Sequence, residues 1–304
     1  MIKKIKDAFR ILLTVPNQLL RLEKMLTEQK ILAAKAIIAS QDYSLDLPIA
    51  NYEFKVFSQW GDDGIIQYLI NRIDIPDKTF IEFGVENYTE ANTLFLLANN
   101  NWRGFIMDGS KSNIQQVRNS ELSWKYDLQT KDVFITTGNI NALITESGFG
   151  KDVGILSIDI DGNDYWVWDA ITVVSPIIVI VEFNSVFGPH QPWTIPYKPD
   201  FTRNEAHFSN LYFGCSLLSL CDLAEKKGYS FIGCNNAGNN AYFVRKDKIG
   251  AIKPLKAEDG YVNSAFKESR NREGYLTYVS SNARLDLLKG MPIFNTRSLQ
   301  TEAI

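Results

Sequence analysis

Short apolar runs alternate along the middle of the chain with longer stretches in which apolar residues recur every three or four positions. The short runs are typical of strands buried on both faces, and the longer stretches are typical of amphipathic helices. The predicted strands cover residues 79–83, 104–108, 133–136, 154–159 and 177–181. The predicted helices cover residues 62–72, 90–100, 113–122, 139–146 and 165–171. Strands alternating with helices predict βαβ units in an α/β fold, with a mostly parallel sheet and helices on both faces.

The last third of the chain has a different pattern. Residues 184–212 are rich in Pro, Asn and aromatic side chains and predict a long loop, which in a compact domain is often a lid. A helix over 216–227 follows. Two β-rich runs, 230–234 and 241–245, then flank the turn-forming residues 235–240 and predict an antiparallel strand pair.

The first 45 residues predict a helical extension, separate from a domain over residues 46–304. Ile5, Leu12, Leu19, Leu26 and Ala33 are spaced seven apart, and Ala8, Val15 and Leu22 follow three positions behind the first three of these. This spacing resembles a short heptad repeat, and Pro16 predicts the start of a second helix within it. Two interpretations stay open: an arm for oligomerisation or for contact with a membrane-associated assembly, or an arm folded back on the domain.

Composition narrows the class of protein. The formal net charge of −3 gives no overall attraction to nucleic acid, so no nucleic-acid partner is expected. The three cysteines form no Cys-x-x-Cys pair and are expected to be reduced and buried. No apolar run approaches the roughly 20 residues that cross a bilayer. We therefore expect a cytoplasmic protein.

The loop after the first strand carries candidate cofactor chemistry. Glu82, Glu86 and Glu90 surround a single glycine, Gly84, and neither Gly-x-Gly-x-x-Gly nor a P-loop is present. Carboxylates at this position repel a pyrophosphate and favour a cation, which suits S-adenosylmethionine, a sulfonium and ammonium compound without phosphate. Asp108, at the end of the second strand, lies where an acid binds ribose hydroxyls in related folds.

Several segments in order resemble one known family. They are Phe57-Ser-Gln-Trp-Gly-Asp-Asp-Gly-Ile-Ile66, Phe80-Ile-Glu-Phe-Gly-Val-Glu86, Leu156-Ser-Ile-Asp-Ile-Asp-Gly-Asn-Asp-Tyr165, Val181-Glu-Phe-Asn-Ser-Val-Phe-Gly-Pro189, Tyr212-Phe-Gly-Cys-Ser-Leu217 and Lys227-Gly-Tyr-Ser-Phe-Ile-Gly-Cys-Asn235. Together they resemble the FkbM-like S-adenosylmethionine-dependent methyltransferases of surface-polysaccharide and natural-product clusters. Asn87 and Tyr88 depart from the glycine-rich form of the cofactor loop.

The resemblance implies a Rossmann-like, class I methyltransferase fold with seven strands, the last antiparallel. It also implies methyl transfer to an oxygen, most often of a sugar, as in capsule or lipopolysaccharide biosynthesis, with a sugar nucleotide or polysaccharide as acceptor. The predicted cofactor-binding residues are Gln59, Glu82, Gly84, Asn87, Asp108, Gly109, Ser110, Asn139 and Asp159.

Polar residues after the fourth and fifth strands predict a metal site. Asp159 and Asp161 follow one strand, and Glu182 and Asn184 follow the next. Their oxygens suit Mg²⁺, and the arrangement is similar to that of metal-dependent catechol and macrolide-sugar O-methyltransferases. In the alternative interpretation, Asp159 and Asp161 contact the cofactor or cap the next helix.

A general base is also needed to take the proton of the acceptor hydroxyl. His190, in the long loop, is the first candidate, because histidine accepts a proton near neutral pH. Asp164 competes with it, and Asp161 completes the predicted catalytic set. His207 is the only other histidine.

Two rival functions stay open at this stage. Asp159-Ile-Asp161 is a D-x-D segment that could serve a metal-dependent glycosyltransferase. A non-catalytic scaffold that recruits partners through its N-terminal helices would bind no cofactor at all.

Overall fold

The computed structural model describes residues 2–280 and 282–304, and the side chains from residue 14 onward. The chain divides into two compact units, Met1–Tyr43 and Ser44–Ile304. The strands are β1 (Thr79–Phe83), β2 (Arg103–Asp108), β3 (Leu128–Asp132), β4 (Ile155–Ile158), β5 (Ile178–Glu182), β6 (Trp193–Thr194), β7 (Tyr229–Cys234), β8 (Asn240–Arg245), β9 (Pro292–Asn295) and β10 (Gln300–Ala303). The helices are α1 (Ile2–Ser40), α2 (Asp62–Arg72), α3 (Leu94–Asn100), α4 (Lys111–Asn119), α5 (Leu122–Lys125), α6 (Ile140–Glu146), α7 (Asp164–Ala170), α8 (Arg203–Ala206), α9 (Leu217–Lys227), α10 (Ala257–Gly260) and α11 (Asn282–Asp286).

Seven strands form the main sheet in the order β3-β2-β1-β4-β5-β8-β7. The first five in that order are parallel to one another, whereas β8 runs antiparallel to both β5 and β7. The reversed strand, β8, is the last strand of this sheet along the chain. This strand order with β8 reversed is the class I Rossmann-like architecture that the sequence predicts. The strand order reverses between β1 and β4, and ligands of open α/β sheets bind at such a point.

Helices cover both faces of this sheet, as predicted. On one face, α6, α7 and α9 contribute Leu143, Trp168 and Leu220 to the main apolar core. On the other face, Asp62 of α2 accepts a 2.5 Å hydrogen bond from the hydroxyl of Tyr242 in β8. Because neighbouring residues of a strand point to opposite faces, the central strands β1, β4 and β5 pack on both layers and are buried along their whole length.

Three sequence predictions of local structure differ from the structure. The third strand is residues 128–132, not 133–136, because the polar edge strand pairs in register with β2 from Gly104 to Asp108. The predicted helix over 113–122 is two helices, α4 and α5. Helix α1 continues through Pro16 instead of restarting there. The fixed φ of proline is compatible with a helix, and its missing N–H removes one backbone hydrogen bond.

A smaller sheet, in the order β10-β9-β6, joins the long loop to the C-terminal residues. Trp193 and Thr194 pair with Asn295 and Phe294. Side chains of the loop and of the C-terminal segment share a second apolar cluster, comprising Phe187, Ile195, Phe201, Leu211, Tyr212, Phe213, Leu288 and Ile293. The predicted loop over 184–212 is therefore held by a C-terminal sheet that its own pattern does not reveal.

Within α1, the heptad positions Ile5, Ala8 and Leu12 lie outside the described side chains. In the part of the chain that the structure describes, no helix combines the length and apolarity needed to span a membrane.

Candidate active site

A cavity of about 490 Å³ lies at the carboxyl ends of β1, β2, β4 and β5. Its acidic residues are Glu82, Glu86, Glu90, Asp108, Asp159, Asp161, Glu182 and Glu268. Among the described residues that line it, Arg203 is the only lysine or arginine. Acidic residues therefore outnumber basic ones eight to one. Burial raises the pKa values of three of them, Glu82, Asp159 and Glu182, and the other five still make the cavity favourable for a ligand that carries positive charge.

Glu82 attaches the start of α3 to β1. Its Oε1 accepts a hydrogen bond from the Asn92 backbone N–H at 2.9 Å. Its Oε2 accepts from the Thr93 backbone N–H at 3.1 Å and from the Thr93 hydroxyl at 2.5 Å. Burial raises the pKa of Glu82 to about 7. Glu82 thus reaches the cavity as a buried structural acid whose oxygens already bond to the protein.

Gly84 is required by a close approach of two strand ends. Its φ is +70°, and a Cβ added there would lie 1.5 Å from the carbonyl oxygen of Asp159. Any side chain would separate the end of β1 from the end of β4, so only glycine fits. This packing places the loops after both strands on one cavity.

Asp108 joins the loop after β1 to the loop after β2. Its Oδ2 accepts a hydrogen bond from the Glu86 backbone N–H at 2.8 Å, and its Oδ1 accepts one from the Ser110 backbone N–H at 2.7 Å. The side chain is almost fully buried but lines the cavity. Each carboxylate oxygen keeps further lone-pair capacity, so Asp108 is a preorganised acceptor for ligand hydroxyls.

The remaining predicted cofactor residues divide into two groups. Gln59 and Gly109 line the cavity. Asn87 closes a turn by accepting a hydrogen bond from the Thr89 hydroxyl. Ser110 caps the start of α4, and Asn139 bonds to backbone groups of the loop before it. These last three lie outside the lining of the cavity and shape the loops that form it.

Three carboxylates converge at the ends of β4 and β5. One oxygen each from Asp159, Asp161 and Glu182 lies within 4.8 Å of the others. Burial raises the pKa values of Asp159 and Glu182 well above the ordinary range, and the neighbouring carboxylates raise them further. Glu182 is 7% exposed, and its buried Oε2 has no hydrogen-bond partner among the described residues. The oxygen-rich set and this free acceptor fit a hard cation such as Mg²⁺.

Arg203 is a site residue that sequence reasoning missed. Its Nη1 donates to Oδ1 of Asp161 at 2.7 Å, and its guanidinium carbon lies 3.8 Å from the centre of the Phe213 ring. Its Nη2 also lies 3.4 Å from Oε2 of Glu268. The residue comes from α8 in the long loop. No local pattern marks it, because the folding of that loop alone brings it to the acidic cluster.

Asp164 and Asn184, which were predicted as site residues, are used inside the protein. The carboxylate of Asp164 accepts the backbone N–H groups of Ile160 at 2.8 Å and Gly162 at 2.9 Å. Burial raises the pKa of Asp164 to about 6. The amide nitrogen of Asn184 donates to two backbone carbonyls of the long loop, at 2.8 and 3.0 Å. Neither residue lines the cavity, so one closes the turn after β4 and the other anchors the loop.

Neither histidine reaches the cavity. His190 is exposed and borders a separate surface groove together with Asp222 and Arg297. His207 bonds through Nδ1 to the Ser209 hydroxyl at 2.7 Å. The predicted base His190 therefore lies away from the acidic cluster, because the loop turns outward after β5.

Four buried polar atoms of cavity-lining residues lack a hydrogen-bond partner among the described residues: Trp60 Nε1, Asn163 Oδ1, Glu182 Oε2 and Asn240 Oδ1. Asn240 is held in place by its amide nitrogen, which donates to buried Asp62 at 3.0 Å. Buried polar atoms are normally satisfied, so each of these four has hydrogen-bonding capacity left for a bound ligand or water. Three of them are acceptors, which suits a ligand rich in hydroxyl or ammonium groups.

Comparisons with known proteins give distant likenesses only. No protein-family model matches the sequence, and no curated protein matches it. A solved S-adenosylmethionine-dependent methyltransferase from Clostridium acetobutylicum ATCC 824 is 10% identical, with a TM-score of 0.38 over 68% of this chain and 93% of that one. The N-terminal domain of EvdMO1 with SAH bound is 9% identical, with a TM-score of 0.35 over 55% and 72%.

The CurJ carbon methyltransferase is 11% identical, with a TM-score of 0.38 over 64% of this chain and 56% of that one. Because all three TM-scores are below 0.5, these likenesses say nothing about function. The function is inferred below from the chemistry of the cavity.

Proposed function

We propose that the protein transfers a methyl group from S-adenosylmethionine to a hydroxyl oxygen of a sugar or sugar-linked acceptor. The observation that carries this proposal is the acidic lining of the cavity at the β1/β4 reversal point, where eight acidic residues and one guanidinium meet. A sulfonium and an ammonium group are stabilised in such a cavity. A pyrophosphate is disfavoured there, since Arg203 is the only lysine or arginine in the described lining and acidic residues surround it.

The cofactor is expected to span the ends of β1, β2 and β4. The carboxylate of Asp108 binds the ribose hydroxyls, because both of its oxygens are aimed by backbone donors and still accept. The apolar residues Val133, Phe134 and Ile135, which follow β3, line the cavity next to Gly109 and form a surface for the adenine ring. The methionine end then lies toward Gly84 and Asp159, where negative charge is densest.

The acceptor hydroxyl is expected at the ends of β4 and β5. The oxygens of Asp159, Asp161 and Glu182 would hold Mg²⁺ there, and Asn184 is excluded because its amide already bonds to the loop. When bound, the metal would lower the pKa of the hydroxyl and orient it. Trp60 Nε1 offers a hydrogen-bond donor, and Asn240 Oδ1 offers a hydrogen-bond acceptor, to other polar groups of the substrate.

The transfer step balances within this cavity. The hydroxyl oxygen forms a bond to the methyl carbon while the sulfur–carbon bond breaks, which yields a methyl ether and S-adenosylhomocysteine. The proton passes to a carboxylate of the acidic cluster, since neither His190 nor Asp164 lines the cavity. From there it leaves to solvent at the exposed edge of the cluster, where 59% of the Asp161 side chain is accessible.

Titration calorimetry separates this proposal from its rivals. S-adenosylhomocysteine and S-adenosylmethionine are expected to bind, and UDP-glucose and GDP-mannose are expected not to. Binding of a nucleotide sugar without S-adenosylmethionine would favour a metal-dependent glycosyltransferase that uses Asp159 and Asp161. Binding of none would favour a scaffold. An acceptor is then identified by a mass increase of one methylene unit in a screen of free sugars and capsular oligosaccharides.

The ribose contact is tested by Asp108→Asn. Loss of charge-assisted hydrogen bonds is expected to weaken S-adenosylhomocysteine binding by about 10- to 100-fold. The control is Asp286→Asn, which removes an exposed carboxylate paired with Lys289 and should leave the affinity unchanged. Equal affinity in the Asp108 variant would contradict the assignment.

The metal site is tested with Mn²⁺ as the probe. Wild-type protein is expected to bind Mn²⁺ in a paramagnetic-resonance titration, and Glu182→Gln is expected to lose most of that binding because an anionic ligand is removed. Glu146→Gln, which changes an exposed acid paired with Lys131, is the control. If chelator-treated protein methylates its acceptor at full rate without added metal, the metal has no part in the reaction.

A further inference from the structure

Helix α1 presents an apolar face that its own unit leaves exposed. With 3.6 residues per turn, one side of the helix carries large apolar side chains over five turns. Their exposed fractions are 54% for Leu19, 54% for Leu22, 50% for Met25, 62% for Leu26, 61% for Leu32 and 38% for Ile37. A contiguous apolar stripe of this length is typical of an interaction surface.

Small residues complete the same face toward the C-terminal end of the helix. Ala33 lies one heptad after Leu26 and Ala36 lies two heptads after Leu22, so both belong to the same face, and both are exposed. We call this line of residues, from Leu19 to Ala36, the seam. Its first half carries bulky side chains and its second half carries small ones. Gln29 lies between the two halves.

We propose that this face binds the same face of a second copy of the chain, with the two α1 helices antiparallel. In that arrangement Leu19 faces Ala36 of the second copy, and Leu22 faces its Ala33. Two of the three leucine layers of one helix then meet an alanine of the other, and the central layers pair Leu26 with Gln29, so bulk is spread along the interface. A parallel pair would instead stack leucine on leucine at one end and leave two alanine layers underfilled at the other.

The charges beside the seam favour the same orientation. Glu23 and Lys30 lie on one flank, one heptad apart, and both are exposed. The antiparallel pairing that aligns leucine with alanine brings Glu23 of each copy beside Lys30 of the other, so two opposite-charge pairs form by symmetry. In a parallel pair, Lys30 would face Met25 of the second copy and Glu23 would face Gln18, without an ion pair. The sizes and charges of these side chains thus favour a second copy of α1 as the partner, in the antiparallel orientation.

Light scattering across a dilution series of the full chain tests the association. The expected mass is twice the 34.5 kDa of one chain. Glu23→Lys and Lys30→Glu each replace two attractive pairs by two repulsive ones and are expected to weaken the dimer by roughly 10-fold, whereas the double variant restores it to near the wild-type constant. Lys35→Glu, on the other side of the helix, is the matched control and should leave the dimer unchanged.

Cysteine crosslinking tests the direction. An oxidised mixture of Leu22→Cys and Ala33→Cys chains is expected to form the mixed disulfide, and Leu22→Cys alone is expected not to crosslink to itself. Self-crosslinking of Leu22→Cys without the mixed product would overturn the antiparallel assignment. A monomer at every concentration, or a monomer that sediments with phosphatidylglycerol vesicles, would overturn the association itself. None of these outcomes depends on methyl transfer.

Discussion

Individual side chains at the carboxyl edge of the sheet take their roles from their contacts, and Asp164 shows this most directly. Its two oxygens accept backbone N–H groups of the turn after β4, and it has no surface on the cavity. We expect Asp164→Asn to destabilise the fold by about 1–3 kcal/mol, because one N–H loses its acceptor. S-adenosylhomocysteine affinity, measured by calorimetry on the folded variant, should stay within about 2-fold. A catalytic base would show the reverse: wild-type stability with a collapsed rate.

Glu82 is expected to make stability depend on pH. Burial raises its folded-state pKa from 4.5 to about 7. Between these values the folded protein holds a proton that the unfolded chain releases, so stability falls as pH rises through this window and stays lower above it. By the usual conversion of pKa shifts, the loss between pH 5 and pH 8 is about 2.5 kcal/mol.

Urea unfolding at the two pH values checks this expectation. Glu82→Gln should remove most of that loss, and the exposed Glu146→Gln should keep it. Burial also raises the pKa values of Asp63 and Asp164 to about 6. These two residues lower stability further as pH rises, equally in the wild type and in both variants. Identical pH slopes in the wild type and Glu82→Gln would show that Glu82 ionises freely in the fold.

At the scale of elements, the small sheet β10-β9-β6 holds the loop that carries Arg203. Ile293 of β9 is fully buried in the cluster shared with that loop. We expect Ile293→Ala to cost about 2–5 kcal/mol and to accelerate hydrogen exchange in residues 193–216. The matched control is Ile144→Ala, a buried residue of α6 in the main core, which should cost a similar amount without selectively opening the loop. Uniform acceleration in both variants would mean that the loop does not depend on the C-terminal sheet.

At the scale of the molecule, the cavity and α1 belong to different compact units. Every residue that lines the cavity lies between 59 and 268, whereas the first unit ends at Tyr43. A chain that begins at Ser44 is therefore expected to bind S-adenosylhomocysteine as tightly as the full chain while running as a monomer in light scattering. A large loss of cofactor affinity on removal of residues 1–43 would show that the first unit supports the site.

The sequence by itself determined six of the seven strands of the main sheet and their alternation with helices along the chain. The mainly apolar runs at 79–83, 154–159 and 177–181 correspond to strands, because strands covered on both faces carry apolar side chains at successive positions. The turn-flanked pair near residue 240 is antiparallel as predicted. Local spacing was less reliable where an element is polar or short. The edge strand β3 is half-buried, so its own residues carry no apolar signal, and the apolar run after it lines the cavity instead.

Only the tertiary structure decided which polar side chains face the cavity. Asp159, Asp161 and Glu182 meet because parallel strands end at one edge, which strand order alone implies. The inward turn of Arg203, the outward turn of His190 and the internal use of Asn184 depend on how residues 185–213 pack against the C-terminal segment. Those contacts join residues about 100 positions apart, beyond the reach of any local pattern. Secondary structure is encoded in neighbouring residues, whereas the direction of a loop side chain is set by distant ones.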